Sequence, residues 1–376
     1  MAGRPLRGSR RLRLVDAMIA INLGKSRASG RCATATVRKR KRSPLWAKLL
    51  VIIGAVLFVV PLGLMGAERV LTARYASAVH KSDLLAPNSR SGADGTQLTS
   101  LHGPLNYLLI GSDARAKNPG AGARSDTIII VHIPATLDRA YMISIPRDLR
   151  VEIPPDPNRN FSGGFNKINA SFQYGGEGSG GVQLLSATLT NLTGIHFDGA
   201  AVIDFSGFDK VVQELGGVHM CIDEQVRSIH TGHLFTVGCQ DLTPKETLDY
   251  LRQRETLRNG DFDRQRHQQQ FLKAIFAKTF ANGLAQNPIK LDQVIRAVGS
   301  SLTIDTNGIP LDQLVFTLRN INPSSFVGVR VPSATQTIDG VSYVIAQDQA
   351  RSLFDAVFDD SLGQWASQNP TWVNAL

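Results

Sequence analysis

Apolar residues along this 376-residue chain fall into three kinds of pattern. The first is an unbroken run, LLVIIGAVLFVVPLGLMGA at 49–67, nineteen residues without a charge. At about 1.5 Å per residue such a helix spans roughly 28 Å, close to a bilayer core, so the run predicts one transmembrane helix. It is long and late in the chain for a signal-peptide core. The second pattern is a set of short stretches rich in Ile, Val and Tyr: LNYLLIG, DTIIIVHIP, AYMISIP, HFDGAAVID, VHMCI, SFVGVRVP and VSYVIA. These predict strands. The third has helical spacing: GVQLLSATLTNLTG, FSGFDKVVQELGG, and stretches near 243–250, 261–282, 288–299, 310–319 and 347–358. Alternation of the last two predicts an α/β domain with a mixed sheet and helices on both faces.

Charge changes how the chain is divided. The formal net charge is +10, which at first suggests a nucleic-acid binder. Residues 1–48 hold fourteen Lys or Arg and one acid, Asp16, a net of +13, so the other 328 residues carry −3. The basic excess precedes the apolar run and predicts a cytoplasmic N-terminus and an exported C-terminal domain. The expected division is a basic, disordered cytoplasmic tail (1–48), a membrane span (49–67), a turn-prone stalk (68–101) and an extracytoplasmic domain (102–376). Nucleic acid is not an expected partner. Cys221 and Cys239 would lie outside the cell, spaced for a disulfide, and Cys32 inside.

Three strands carry the first chemical argument. Asp113 follows LNYLLIGS, Asp126 opens DTIIIVHIP, and Arg147 follows AYMISIP. The short PATLDR connection makes the second and third strands antiparallel. If the first two are antiparallel as well, both carboxylates and the guanidinium meet at one sheet edge. A divalent cation would relieve the repulsion of the paired carboxylates, and hard oxygen ligands suit Mg²⁺.

The segment Tyr250–Gln270 holds five arginines and no lysine. Thr243 to Glu246 has the form of a capping box with proline at the first helical position. Arg252 and Arg254 share a face only where the backbone is extended. Asn259-Gly260 signals a turn, and Asp261 is placed to cap a new helix on which Arg264 and Gln268 share a face. Phe271, Leu272, Ile275 and Phe276 would form the buried stripe of that helix. Arginines near a helix start suit a phosphate, which they grip in pairs. The rival reading is a solvated surface with Glu255, Asp261 and Asp263 as ion-pair partners. Beside a bilayer and outside the cell, the expected anion is a lipid-linked pyrophosphate.

NYLLIGSDAR, GARSDTIIIVHI, MISIPRDLRVEIP, KINASFQYGG, VIDFSGFDKVVQELGGVHMCI and LDYLRQRETLRNGDFDRQRHQQQFL occur in an order that resembles the LytR-CpsA-Psr family over residues 103–285. The Arg-rich tail and late span resemble its actinobacterial members. The resemblance implies a three-layer α-β-α domain with an apolar cavity for a polyprenyl chain. It implies a phosphotransferase moving a glycopolymer from its undecaprenyl-pyrophosphate carrier to a peptidoglycan hydroxyl. By motif, Asp113 and Asp126 resemble the Mg²⁺-site carboxylates, and Arg124, Arg147, Arg252, Arg254, Arg264 and Gln268 the groups around the pyrophosphate. Asp148 and Lys167 are expected to line the site. His267 stands where the family often has arginine, which predicts one altered phosphate contact and pH-sensitive binding.

On this reading Asp113, Asp126 and Arg147 carry the chemistry, and the base is Asp113, Asp126 or none. A lipid pyrophosphatase differs only in using water as acceptor. A non-catalytic wall-binding or regulatory membrane protein is the rival of another class.

Overall fold

A computed structural model of the protein describes residues 80–92, 103–112, 124–176, 178–281, 302–309, 313, 314, 317 and 321–376. The tail 1–48, the apolar run 49–67, Asp113 and the helix expected at 288–299 lie outside the described residues, as does most of the one expected at 310–319. Among the described residues no helix is long and apolar enough to cross a membrane.

The strands are β1 (His80–Lys81), β2 (Leu105–Ser112), β3 (Ser125–Ile133), β4 (Ala140–Ser144), β5 (Arg150–Ile153), β6 (Gly164–Lys167), β7 (Gly199–Asp204), β8 (Val218–Ile222), β9 (Val226–Arg227), β10 (Leu234–Phe235), β11 (Gly238–Leu242), β12 (Leu302–Asp305), β13 (Phe326–Arg330), β14 (Ser333–Ile338), β15 (Val341–Ala346) and β16 (Val373–Asn374). The α-helices are α1 (Asn169–Tyr174), α2 (Gly178–Thr193), α3 (Phe205–Glu214), α4 (Pro244–Arg252), α5 (Asp261–Ala281), α6 (Asp348–Phe358) and α7 (Leu362–Gln368). The central sheet runs β1-β12-β7-β2-β3-β4-β13-β16. It is mixed: β2 is antiparallel to β3 and parallel to β7, and β4 is antiparallel to β3 and parallel to β13.

Strand periodicity explains how the sheet is covered. Leu108 and Ile110 of β2, Ile128 and Ile130 of β3, and Tyr141 and Ile143 of β4 share one core with Val182, Leu185 and Leu189 of α2 and Leu353 and Phe354 of α6. The alternate positions Leu105, Tyr107, Val131, Ile133 and Ala140 meet Phe276 of α5 in another cluster. Side chains two apart point to the same face, so helices cover both faces of this sheet. A further cluster joins α3, α4 and α5 to β8 through Val212, Met220, Ile222, Tyr250 and Phe271.

Helix α5 is pinned to the sheet by polar groups as well as apolar ones. Buried Gln269 donates to the Met142 carbonyl and Ser144 Oγ (both 2.8 Å) and to the Val329 carbonyl (2.9 Å). A Cβ at Gly328 would run into Gln269 Oε1, so a larger residue there would have to displace this buried side chain. On the other side of α5, β8 and β11 pair Cys221 with Cys239 across the ladder, and the two are joined by a disulfide.

The stretch expected to be a stalk belongs in part to the fold. Residues 80–92 enter it: β1 pairs with β12, Leu84 and Leu85 are fully buried, and Arg90 bridges to Phe197. Buried Asp305 holds this segment, accepting from the Leu84 amide at 2.9 Å and from Arg90 Nη2 at 2.8 Å. A two-residue strand and one apolar pair are too short to show periodicity, which is why the sequence read as linker.

Candidate functional site

The geometry begins at one edge of the central sheet. β2 ends and β3 begins side by side, with Ser112 opposite Ser125, and the chain leaving β4 runs back along β3, where the Ile145 amide donates to the Ile128 carbonyl. This brings Asp126 and Arg147 together: Arg147 Nη1 donates to Asp126 Oδ1 at 2.5 Å. Asp113 follows Ser112 and lies outside the described residues.

A second element enters from the helix side. The capping box at Thr243 and Glu246 starts α4, which ends at Arg252; Gln253 is extended. Gly260, at φ +58°, turns the chain into α5. Asp261 is therefore the first helical residue, and Asp263 caps the turn by accepting from the Asn259 amide at 2.7 Å. Asp261 faces the cluster instead. Its Oδ1 lies 2.6 Å from Arg264 Nη2 and 3.6 Å from Arg147 Nε. Arg264 Nη2 also donates to the Asp126 main-chain carbonyl at 3.1 Å. Asp148 completes the ring, 3.7 Å from Arg147 Nε and 2.9 Å from Lys167 Nζ.

The two central guanidinium groups are largely removed from water, with side chains 14% (Arg147) and 6% (Arg264) exposed. Burial opposes the charge on Arg147, but Asp126, Asp261 and Asp148 outweigh it and raise its pKa. On Arg264 burial prevails and lowers the pKa; Asp261 and Asp126 oppose this, while Arg147 and Arg254 add to it. Arg147 Nε and Arg264 Nε are buried and make no hydrogen bond among the described residues. Unpaired buried polar atoms are costly, and here they gather at a helix N-terminus beside three carboxylates.

The remaining expected residues take different places. Arg124 immediately precedes β3 at the same edge. Arg254 lies close enough to Arg264 to depress its pKa, and its Nη2 is 3.8 Å from Glu255. The Arg252 guanidinium lies 4.9 Å over the Phe205 ring, just beyond Asp204, the β7 partner of Ser112. Gln268 is half-buried one turn beyond Arg264. Arg266 faces away from Arg147 and pairs with Asp223 and Asp263.

His267 corrects the expectation placed on it. Its ring is fully buried, stacked 4.4 Å from Tyr250, whose hydroxyl meets Nε2 at 3.0 Å. Burial first, then Arg266, lowers its pKa to about 4. A neutral core imidazole is neither a phosphate contact nor a switch near neutral pH. Asp261, by contrast, was expected to be a cap or a surface partner. Its spacing of three from Arg264, within the first turn of a helix, was the sequence signal for its place in the cluster.

Carboxylate oxygens at Asp126 and Asp261 are hard donors that fit Mg²⁺ better than a softer metal. Asp126, Asp148 and Asp261 are spread around Arg147, without three carboxylates meeting at one point among the described residues. Such a sparse set fits an ion that keeps water and phosphate in its shell. His219 stands near Cys221 and Cys239, but both sulfurs are committed to their disulfide.

The LytR_cpsA_psr family model matches residues 70–358. The chain is 32% identical to a probable cell wall biosynthesis protein, LcpB of Corynebacterium glutamicum, over 57% of this chain and 51% of that one. It thus spans about half the length of that relative. It is 28% identical to the polyisoprenyl-teichoic acid–peptidoglycan teichoic acid transferase TagV of Bacillus subtilis, over 75% of this chain and 71% of that one. Among solved structures, a protein of Streptococcus agalactiae superposes with a TM-score of 0.59 at 21% identity, covering 69% of this chain and 88% of that one. TagT bound to LIIa-WTA superposes with a TM-score of 0.55 at 24% identity, covering 72% and 98%. These two likenesses establish a shared fold.

Proposed function

Since the chain belongs to the LytR_cpsA_psr family, we propose that it moves a glycopolymer from an undecaprenyl-pyrophosphate carrier onto a peptidoglycan hydroxyl, outside the cell. The observation that carries this reading is the pair Arg147 and Arg264: two largely buried guanidinium groups beside a helix start, each with an Nε that makes no hydrogen bond among the described residues. A diphosphate offers the oxygens they need. The transferases named among the relatives support the reaction class. The Cys221–Cys239 bond supports an oxidising, exported setting for a domain anchored by the 49–67 span. An apolar cavity for the polyprenyl chain is part of the proposal.

The residues divide the work. Arg147 and Arg264 grip the diphosphate and absorb the charge that builds on its oxygens, flanked by Arg124, Arg252, Arg254 and Gln268. Asp148 flanks Arg147 and is itself paired with Lys167, and both line the diphosphate site. Asp113 and Asp126 would hold Mg²⁺; when bound, the ion would supply further neutralisation of phosphate charge. An acceptor hydroxyl attacks the phosphorus nearer the glycopolymer. The new O–P bond forms as the P–O bond to the distal phosphate breaks. The hydroxyl proton ends on the departing undecaprenyl phosphate, directly or through a carboxylate, and a phosphodiester joins polymer to wall.

The test is to incubate the full chain in detergent micelles with a polyprenyl-pyrophosphate glycan, Mg²⁺ and peptidoglycan oligomers. Covalent coupling is expected, with Arg147→Ala slower by roughly a hundredfold or more. Phosphate release without coupling would make the enzyme a lipid pyrophosphatase. Wild type and Arg147→Ala equally inert on several donors would overturn the proposal.

A further inference from the structure

Beside the arginine cluster lies a surface of which the proposed function uses Lys167 alone. The β5–β6 hairpin places Arg150 opposite Lys167 and Glu152 opposite Phe165. Val151 and Ile153, the alternate residues, are buried in the main core. By strand parity Arg150, Glu152, Phe165 and Lys167 therefore share the outer face. Phe165 is 59% exposed. A single exposed phenylalanine is ordinary. This one is organised: the Arg150 guanidinium lies 4.6 Å over its ring and 5.9 Å from the ring of Tyr343. Lys167 Nζ is 5.8 Å from the Tyr343 ring, and the same amine bonds Asp148 at 2.9 Å.

Tyr343 comes from the C-terminal β14–β15 hairpin, and its placement is enforced. The Val344 amide donates to the Asp148 carbonyl at 2.9 Å, and Val344 bridges to Leu149. The hairpin is thus fastened to the residue that follows Arg147. Two aromatic rings and interleaved cations form a shelf that shares Lys167 with the phosphate cluster.

We infer that this shelf binds carbohydrate and seats the acceptor glycan beside the transferred phosphate, an inference that rests on the function proposed above. A sugar ring has a C–H face that packs on an aromatic ring and a rim of hydroxyls that need donors and acceptors together. Phe165 and Tyr343 supply the first; Arg150, Lys167 and Glu152 supply the second. Glu152, exposed opposite Phe165, disfavours the two other polyanionic occupants, since an anionic lipid surface or a phosphate polymer would repel it. Neutral sugar hydroxyls can accept from Arg150 and Lys167 and donate to Glu152, so a saccharide rim meets both signs of charge on this face. The location is also right: an acceptor must approach the arginine cluster from water, and the shelf is the solvent-exposed flank of Asp148.

The experiment measures two affinities on the full chain in detergent micelles, one for soluble peptidoglycan glycan oligomers and one for polyprenyl pyrophosphate. Phe165→Ala, Tyr343→Ala and Arg147→Ala are compared with wild type, each with its melting temperature. Both shelf variants are expected to weaken glycan binding by at least about tenfold and to leave pyrophosphate binding unchanged. Arg147→Ala is expected to do the reverse. Glycan affinity unchanged in both shelf variants would overturn the shelf. So would a loss, in those variants, of binding to phosphatidylglycerol vesicles in place of the glycan, which would make the surface a membrane contact. If Arg147→Ala retains full pyrophosphate affinity while the shelf variants lose the glycan, the reading of the arginine cluster fails and the shelf stands.

Discussion

Arg264 donates from its guanidinium to the main-chain carbonyl of Asp126 at 3.1 Å, across 138 positions of sequence. The contact ties the first turn of α5 to the start of β3, and with them the arginine segment to the sheet edge. Arg264→Lys would keep a charge and lose the fork that serves both this carbonyl and Asp261. Transfer is expected to fall by roughly a hundredfold or more, the usual weight of one such donor. The check is the rate of glycan coupling alongside a melting curve, since a fully unfolded variant would say nothing about catalysis.

The proposed Mg²⁺ site makes Asp126→Asn informative. Asparagine can still accept from Arg147 but offers the metal a neutral oxygen. Mn²⁺ binding, followed by calorimetry, is expected to weaken by more than about tenfold, and a chelator should stop coupling by the wild type. Mn²⁺ bound equally well by the variant would remove Asp126 from the metal set.

His267 predicts a pH effect on stability. Its folded pKa is depressed to about 4, from an ordinary value of 6.5, by burial first and then by Arg266. The contribution is therefore intact above pH 6.5 and is lost as pH falls towards 4, because the unfolded chain takes up the proton first. The loss is about 3 kcal/mol over that window. Urea unfolding of wild type and His267→Gln at several pH values should show a shallower fall for the variant between pH 6.5 and 4. Parallel curves would refute the assignment. Glycan binding above pH 6.5 should not depend on this ring.

The disulfide should matter on loop entropy alone. Cys221 and Cys239 are 18 residues apart, and closing such a loop contributes about 3 kcal/mol. Cys221→Ser with Cys239→Ser should lower the midpoint of denaturant unfolding by a corresponding amount, with the slope similar. An unchanged midpoint would mean that the β8–β11 ladder needs no cross-link.

How far the sequence reveals this molecule depends on the kind of residue. The three strands that bring Arg147 to Asp126 were legible, because Ile- and Val-rich runs and one short connection dictate their direction. The capping box at Thr243 was legible for the same reason: its signal is local. Helix α5 was legible as a helix but not in its environment. Asp263, Arg264, Gln265, His267 and Gln269 are all buried, and a polar sequence conveys no buried face. Only the tertiary partners, such as Tyr250 for His267 and the Met142 carbonyl for Gln269, make those positions affordable. The aromatic shelf was invisible because Phe165 and Tyr343 lie on hairpins 178 positions apart.

Residues 80–92 yield the last prediction. The side chain of Asp305 is 6% exposed and serves four groups at once: the amides of Leu84, Leu85 and Asn307, and the guanidinium of Arg90. Asp305→Ala leaves Arg90 short of its buried partner and two amides of the 80–92 segment without an acceptor. Removing one side of a buried pair costs about 3–5 kcal/mol. Leu84 and Leu85 belong to the same core as Ile110 and Ile130, so the loss should not stay local. The variant should unfold at lower denaturant as a single transition, and hydrogen exchange at β12 and β7 should rise with it. If 80–92 were a linker only loosely attached to the domain, exchange would rise in that segment alone and the global midpoint would not move.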